Sequence, residues 1–238
     1  MRQSSPTSSR KGAIALNKLV KTADLYDCQV PYLKDLFDSC EYPWEMLPKI
    51  KGHILSLIEA GLPDFTEIKP GVWVGKDVKI ADYVTIEAPA IIGHGTEIRP
   101  GAYIRGSVIT GENCVLGNSS EFKNCILLDR VQCPHYNYVG DSVLGNKAHM
   151  GAGSICSNLK SDGKPVVIHG DEDIVTGLRK IGGILADYAD AGCGCVINPG
   201  TVIGKRTTIY PLTALRGVYP ADCIVKATNT IVERKETV

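Results

Sequence analysis

The sequence predicts an all-β fold, a left-handed parallel β-helix of hexapeptide repeats with a small N-terminal helical region. Three observations carry this expectation. Counting in sixes past Glu67 gives Ile68, Val74, Ile80, Ile86, Ile92, Ile98, Ile104, Thr110, Leu116 and Phe122, with only Thr110 outside the large apolar class. Glycines follow several of these positions, as in VGKD, IGHG and LGNS, and Gly and Asn suit corners where φ is positive. Neither common period fits, because a helix turns every sixth residue to a drifting face and a strand alternates in twos. Six is instead the period of three short strands joined by tight turns into a triangular coil. The aliphatic side chains of successive coils then meet in one continuous core.

Taken in order, residues 1–12 (MRQSSPTSSRKG) read as a flexible tail, with few groups able to offset the entropy of ordering. Residues 13–66 read as a helical cap. PYLKDLFDSC contains a short helix, and after Pro43 the run WEMLPKIKGHILSLIEAG places Ile50, Ile54, Leu57 and Ile58 on one face of another, ended by Gly61. Such a short region needs something to pack against, and the first coil, whose open edge invites association, is the expected partner. Residues 67–220 form the repeat, with room for about seven or eight coils of about eighteen residues. Two interruptions stand out, NCILLDRVQCPHYNYVGD at 124–141 and SNLKSDGKPVVIHGDEDIVTGLRKIGG at 157–183. The register resumes at Leu144 and Met150, then at Leu185, Ala191, Ile197, Ile203, Ile209 and Leu215. Residues 221–238 add one strand-like run and a charged tail.

Composition narrows the function. With 44% hydrophobic residues among 238 the chain can bury a sizeable core. The 26 basic and 26 acidic residues cancel, which argues against nucleic acid as a partner. Nine cysteines without paired CxxC spacing read as reduced, mostly core-filling thiols, hence a cytoplasmic setting. No continuous apolar run reaches membrane-spanning length, so no membrane partner is expected, and no persuasive signal peptide is visible. Cys193 and Cys195 lack further ligands at metal-binding spacing, so no metal site is expected.

Repeat scaffolds carry function where the repeat is broken. The two interruptions and the intervening GNKAHMGAGSICSN are expected to bring His135, Tyr138, His149, Asn158, Lys123 and Lys164 near one another. A histidine can take a proton from a nucleophile near neutrality. Lysine and arginine can hold a phosphate, and asparagine or backbone N–H groups can steady an acyl oxygen as it gains charge. Arg99, in EIRPGAYIRG, can present a guanidinium from a repeat face. Gly151, Ala152 and Gly153 lack the context of a dinucleotide fingerprint, and small residues there suit a thioester or pantetheine chain lying close to the backbone.

At RPGA, GNSSEFKN, PHYNYVGDSVLG, GAGSICSN and TGLRKIGG the chain resembles two related domains, over residues 67–225. One is the C-terminal acetyltransferase domain of the bifunctional N-acetylglucosamine-1-phosphate uridyltransferases. The other is its counterpart in archaeal sugar-1-phosphate nucleotidylyltransferases. The resemblance implies acetyl transfer from acetyl-CoA to an amino-sugar 1-phosphate such as glucosamine 1-phosphate, with no required metal, in a homotrimer with active sites between subunits. It makes His135 the general base, Asn158 a catalytic group near the reacting amide, and Gly151, Ala152 and Gly153 the coenzyme contact. It makes Arg99, Lys123, Tyr138, His149 and Lys164 substrate-binding residues. His149 in HMGAG replaces the asparagine of the family's NIGAG, so a substrate contact and the acceptor sugar are expected to differ. The stretch before the repeat is too short for the usual nucleotidyltransferase domain and shows no glycine-rich nucleotide loop, so uridyl transfer is not expected of this chain.

Two other readings compete. One is a non-catalytic sugar-phosphate-binding or regulatory subunit that works beside a separate nucleotidyltransferase. The other is a trimeric metal-dependent hydratase resembling the β-helical carbonic anhydrases, although His94, His135, His149 and His169 lack the compact pair that family needs.

Overall fold

In the computed structural model, residues 20–227 and 230–233 are described, and the tail expected at 1–12 lies outside them. The repeat folds as a left-handed parallel β-helix of three sheets, each forming one face of a prism. The first face is nine-stranded and runs from Thr66–Lys69 to Val218–Tyr219. The second, also nine-stranded, runs from Lys79–Ile80 to the terminal pair Cys223–Ala227 and Thr230–Glu233. The third has seven strands, from Thr85–Glu87 to Ala214–Leu215. The outermost strands Thr66–Lys69 and Thr230–Glu233 are antiparallel to their neighbours, and all other pairings within the three faces are parallel.

The hexad positions build the prism core. Ile92, Ile98, Ile104, Leu116, Phe122, Leu144, Met150, Leu185, Ile197, Ile203, Ile209 and Leu215 are all buried in one cluster. Thr110, the polar exception, is buried too, and its hydroxyl accepts the Gly93 N–H at 2.9 Å. Two expected core residues fall outside. Ile68 is 47% exposed because Thr66–Lys69 folds back antiparallel to Val72–Val74 and never enters the prism. Ile80, 41% exposed, lies on the first strand of the second face, which has no coil before it.

The interruption expected at 124–141 is a change of phase, not a loop. Core positions run Phe122, Leu127, Cys133, Val139 and Leu144, so two corners are one residue shorter than the hexad. Asn124 and Asp141 occupy those corners at φ 46° and 47°, a region that Asn and Asp tolerate better than most L-residues. The interruption at 157–183 is a true insertion, and it carries the antiparallel hairpin Val167–His169 and Asp173–Val175.

The helical region comprises α1 (Thr22–Leu25), α2 (Pro31–Asp38) and α3 (Ile50–Ala60), the last ended by Gly61 at φ 87°. It does not close the first coil as expected. It lies along the flank, packed with Ile91, Ile109, Ile126 and Val143, which point outward from the first face. The inserted hairpin, through Val166 and Ile168, joins the same cluster with Ile184 and Val202. Each of these first-face strands therefore buries both sides, as its apolar doublets (Ile91–Ile92, Val143–Leu144, Val202–Ile203) require. Polar clamps fix the flank in place. Tyr26 and Tyr32 hydroxyls donate to Val143 O (3.1 Å) and Thr110 O (2.8 Å). Asp187 accepts the backbone N–H of Asp27 at 2.8 Å and of Asn146 at 2.7 Å, and its burial raises the carboxyl pKa.

Eight of the nine cysteines are buried and Cys193 is exposed. Burial pushes the Cys28, Cys114 and Cys156 thiols up to about 12, far from thiolate formation at neutral pH. One fast equivalent with a disulfide reagent at pH 7.5 is the expected result, with the other eight reacting only after denaturation. Two or more fast equivalents, or a Cys193→Ser variant that keeps the fast one, would contradict this packing.

Candidate functional site

Strand Tyr138–Gly140 on the third face organises the site. It pairs with Glu121–Lys123 in the register Glu121↔Tyr138, Phe122↔Val139 and Lys123↔Gly140. Phe122 and Val139 point into the core, so Tyr138 and Lys123 face outward. Gly140 leaves room for the Tyr138 ring, because a Cβ there would lie 2.4 Å from the Tyr138 hydroxyl and 2.8 Å from Asn158 Nδ2.

At the corner after Gly140, Asp141 is only 5% exposed and gathers three side chains. It accepts hydrogen bonds from Asn124 Nδ2 at 2.9 Å and Asn158 Nδ2 at 2.5 Å, and pairs with Lys123 Nζ at 3.5 Å. Asn158 Nδ2 also donates to the Tyr138 hydroxyl at 3.1 Å. Desolvation, and then the Asp141 charge, push the Tyr138 hydroxyl pKa up. Both N–H bonds of Asn158 are thereby committed, so its side chain offers a ligand the Oδ1 acceptor. Lys123, Tyr138 and Asn158, three of the residues singled out in the sequence, thus meet around Asp141, the last residue of PHYNYVGD.

His135 stands at the other end of the same strand, on the corner between the second and third faces. It closes strand Gln132–His135, paired with Asn118 of the preceding coil, and is not in a loop. Its side chain is exposed. Its carbonyl accepts the Gly153 N–H at 3.0 Å, so the Gly151–Ala152–Gly153 turn of the next coil lies directly beside it. Gly153 has φ 71°, and a Cβ there would meet nothing within 4 Å, which leaves open space next to His135. The His135 and Asp141 corners flank the two ends of the outward face of Tyr138–Gly140.

Asn137 escaped sequence reading because one asparagine at a turn carries no distinctive signal. Only 3% exposed, it accepts the His135 N–H through Oδ1 at 3.1 Å. Its Nδ2 donates to Gly151 O at 2.9 Å and Ser154 O at 3.1 Å. The amide therefore sets the spacing between His135 and the glycine turn. Asn137→Ala orphans these buried groups and is expected to lower stability by about 1–3 kcal/mol in urea unfolding. A loss under about 0.5 kcal/mol would mean that the corner is held by other bonds.

The remaining candidates lie elsewhere. Arg99 pairs with Glu97 at 3.1 Å, on the His135 corner but two coils earlier. His149 is on the second face, with Nδ1 2.8 Å from Asp190 Oδ1. Lys164 is exposed on the inserted loop, where its backbone N–H donates to Asp162. Among the described residues no three His, Cys, Asp or Glu side chains are grouped to hold a metal ion, and no helix is long and apolar enough to cross a membrane.

The family described as the GMPPB C-terminal domain matches residues 86–178. The bifunctional protein GlmU of Methanococcus aeolicus is 31% identical over 213 residues, covering 82% of this chain and 47% of the relative. The bifunctional sugar-1-phosphate nucleotidylyltransferase/acetyltransferase of Sulfurisphaera tokodaii is 33% identical over 174 residues, 71% of this chain and 43% of the relative. The chain thus spans about half the length of the curated relatives it matches, and the match falls on their C-terminal half. Among solved structures, a mutant of AntD, an N-acyltransferase from Bacillus cereus in complex with dTDP and coenzyme A, aligns at 20% identity and a TM-score of 0.42, over 68% of this chain and 83% of that one.

Proposed function

We propose that this chain, whose β-helix resembles the C-terminal half of the bifunctional sugar-1-phosphate nucleotidylyltransferase/acetyltransferases, is an acetyl-CoA-dependent N-acetyltransferase acting on an amino-sugar 1-phosphate. The observation that carries the reading is the pairing of two chemically different corners across one exposed strand. One corner offers an accessible imidazole beside a small-residue turn, and the other offers Lys123, Tyr138 and Asn158 around Asp141.

In this mechanism the acceptor lies across Tyr138–Gly140 with its phosphate drawn to Lys123, and Tyr138 and Asn158 contact the sugar. His135 takes a proton from the acceptor amine as the nitrogen attacks the thioester carbonyl. The new C–N bond forms, the carbonyl oxygen gains charge, and collapse breaks the C–S bond to release coenzyme A, whose sulfur regains a proton. Of the 151–153 turn, the Gly151 and Gly153 N–H groups already bond Ala191 O and His135 O. Ala152 N–H is the donor assigned to the oxyanion. Amine and thioester are reactive partners, so most of the acceleration comes from holding them together.

Titration calorimetry with acetyl-CoA, with and without glucosamine 1-phosphate, tests the reading, followed by an assay for free coenzyme A. Mutually strengthened binding with thiol release supports it. Sugar-phosphate binding without any response to millimolar acetyl-CoA would replace it with the non-catalytic binding subunit.

A further inference from the structure

The inserted segment builds a second polar groove that the reaction above does not use. Its floor is a column of outward positions on successive coils, Ser157, Asn198 and Arg216, aligned through the pairings Cys156↔Ile197 and Ile197↔Leu215. Its wall is the insertion itself, which contributes Leu159, Lys160, Ser161, Asp162, Val167 and His169. This open groove has a volume of about 590 Å³, enough for a sugar phosphate or half of a nucleotide.

The side chains are arranged around one hydrogen-bonded chain. Arg216 Nη2 lies 3.1 Å from His169 Nε2, and His169 Nδ1 lies 2.9 Å from Asp173 Oδ1. A guanidinium can only donate, so Nε2 accepts, Nδ1 carries the proton, and that proton goes to Asp173. Asp173 is thus occupied behind the imidazole, while Arg216, an exposed side chain, keeps its other N–H donors. Lys160 lines the same groove, paired with Asp162 at 3.4 Å. Ser157 and Ser161 add hydroxyls that can donate to a bound oxyanion.

We propose that this groove binds a phosphate-bearing group, with Arg216 and Lys160 as its charged contacts and His169 holding Arg216 in place. Two cations, Arg216 in the floor and Lys160 in the wall, match an acceptor-only ligand with several oxygens, which a phosphate or diphosphate supplies and a lone hydroxyl does not. The site depends on the insertion, since Lys160 and His169 both come from it. It abuts Asn158 through Ser157, so a ligand in it extends from the proposed acceptor corner toward the last coils. The phosphate comes either from the coenzyme or from the acceptor.

The test is binding of inorganic pyrophosphate to the full chain, followed by calorimetry and by the His169 ring resonance, assigned with a His169→Asn variant. Saturable binding that shifts this resonance, weakened about tenfold or more in Arg216→Gln and in Lys160→Gln, is expected. Lys79→Gln, an exposed charge on the first coil, controls for diffuse attraction and should leave the affinity unchanged. No saturation by pyrophosphate, or equal weakening in all three variants, would overturn the proposal. Comparing coenzyme A with 3′-dephospho-coenzyme A and with glucosamine 1-phosphate in Arg216→Gln identifies the source, by whichever ligand loses affinity. Because the readout is binding, a chain that takes up pyrophosphate here but transfers no acetyl group would sink the proposed reaction and leave this site standing.

Discussion

Replacing His135 by alanine is expected to lower acetyl transfer to an amino-sugar 1-phosphate by about 10²–10⁴-fold, the usual worth of a positioned acid or base. The fold should survive, because the imidazole is exposed and the bonds that fix this corner run through the His135 main chain and Asn137. Since the lost contribution is to chemistry and not to ground-state binding, kcat should carry the loss, with the affinity for acetyl-CoA little changed. A His135→Gln variant, which keeps a polar side chain but cannot take the proton, should be as impaired as alanine. Folded His135→Ala protein with more than about a tenth of wild-type turnover would remove this residue from the role of base.

The largest effect on stability is expected at Phe122. Its ring is fully buried in the prism core, stacked between Ile104 on one coil and Val139 on the next. Phe122→Ala should cost about 3–5 kcal/mol, from lost transfer energy and the cavity left behind, whereas Phe122→Leu should cost under about 1.5 kcal/mol. Ile80 occupies an equivalent hexad position but is 41% exposed on the first coil, so Ile80→Ala should cost far less. Equal losses at the two sites would mean that the hexad position alone, without the number of stacked neighbours, sets the stability of a coil. Lys123 follows Phe122 directly, so the same cavity should also loosen the Asp141 corner.

The fold was legible because period six is rare and each inward position is apolar for a local reason. Phe122, Leu144 and Ile203 all sit where the count placed them. The count failed at 124–141 because a corner with Asn124 or Asp141 in the left-handed region saves one residue, and this looks in sequence like a break. The count says nothing of the helical region, because a period of six tracks only the inward positions. The doublets Ile91–Ile92, Val143–Leu144 and Val202–Ile203 were present, and a strand apolar on both sides signals a covered face. At the site, residue type and motif singled out Lys123, Tyr138 and Asn158, but no spacing rule reveals that Asp141 joins them from inside the corner. Asn137 is hidden for the same reason: two of its side-chain bonds, to Gly151 O and Ser154 O, cross to the next coil and are not local in sequence.

The cladding of the first face has a geometric corollary. A triangular prism has three sides by which it can meet copies of itself, and here helices and hairpin occupy one of them over most of its length. Copies arranged about a three-fold axis parallel to the prism would therefore face inward with the second and third sides and the ridge between them. That ridge carries His135 and the 151–153 turn, whereas the sheathed side would form the outer wall of the assembly.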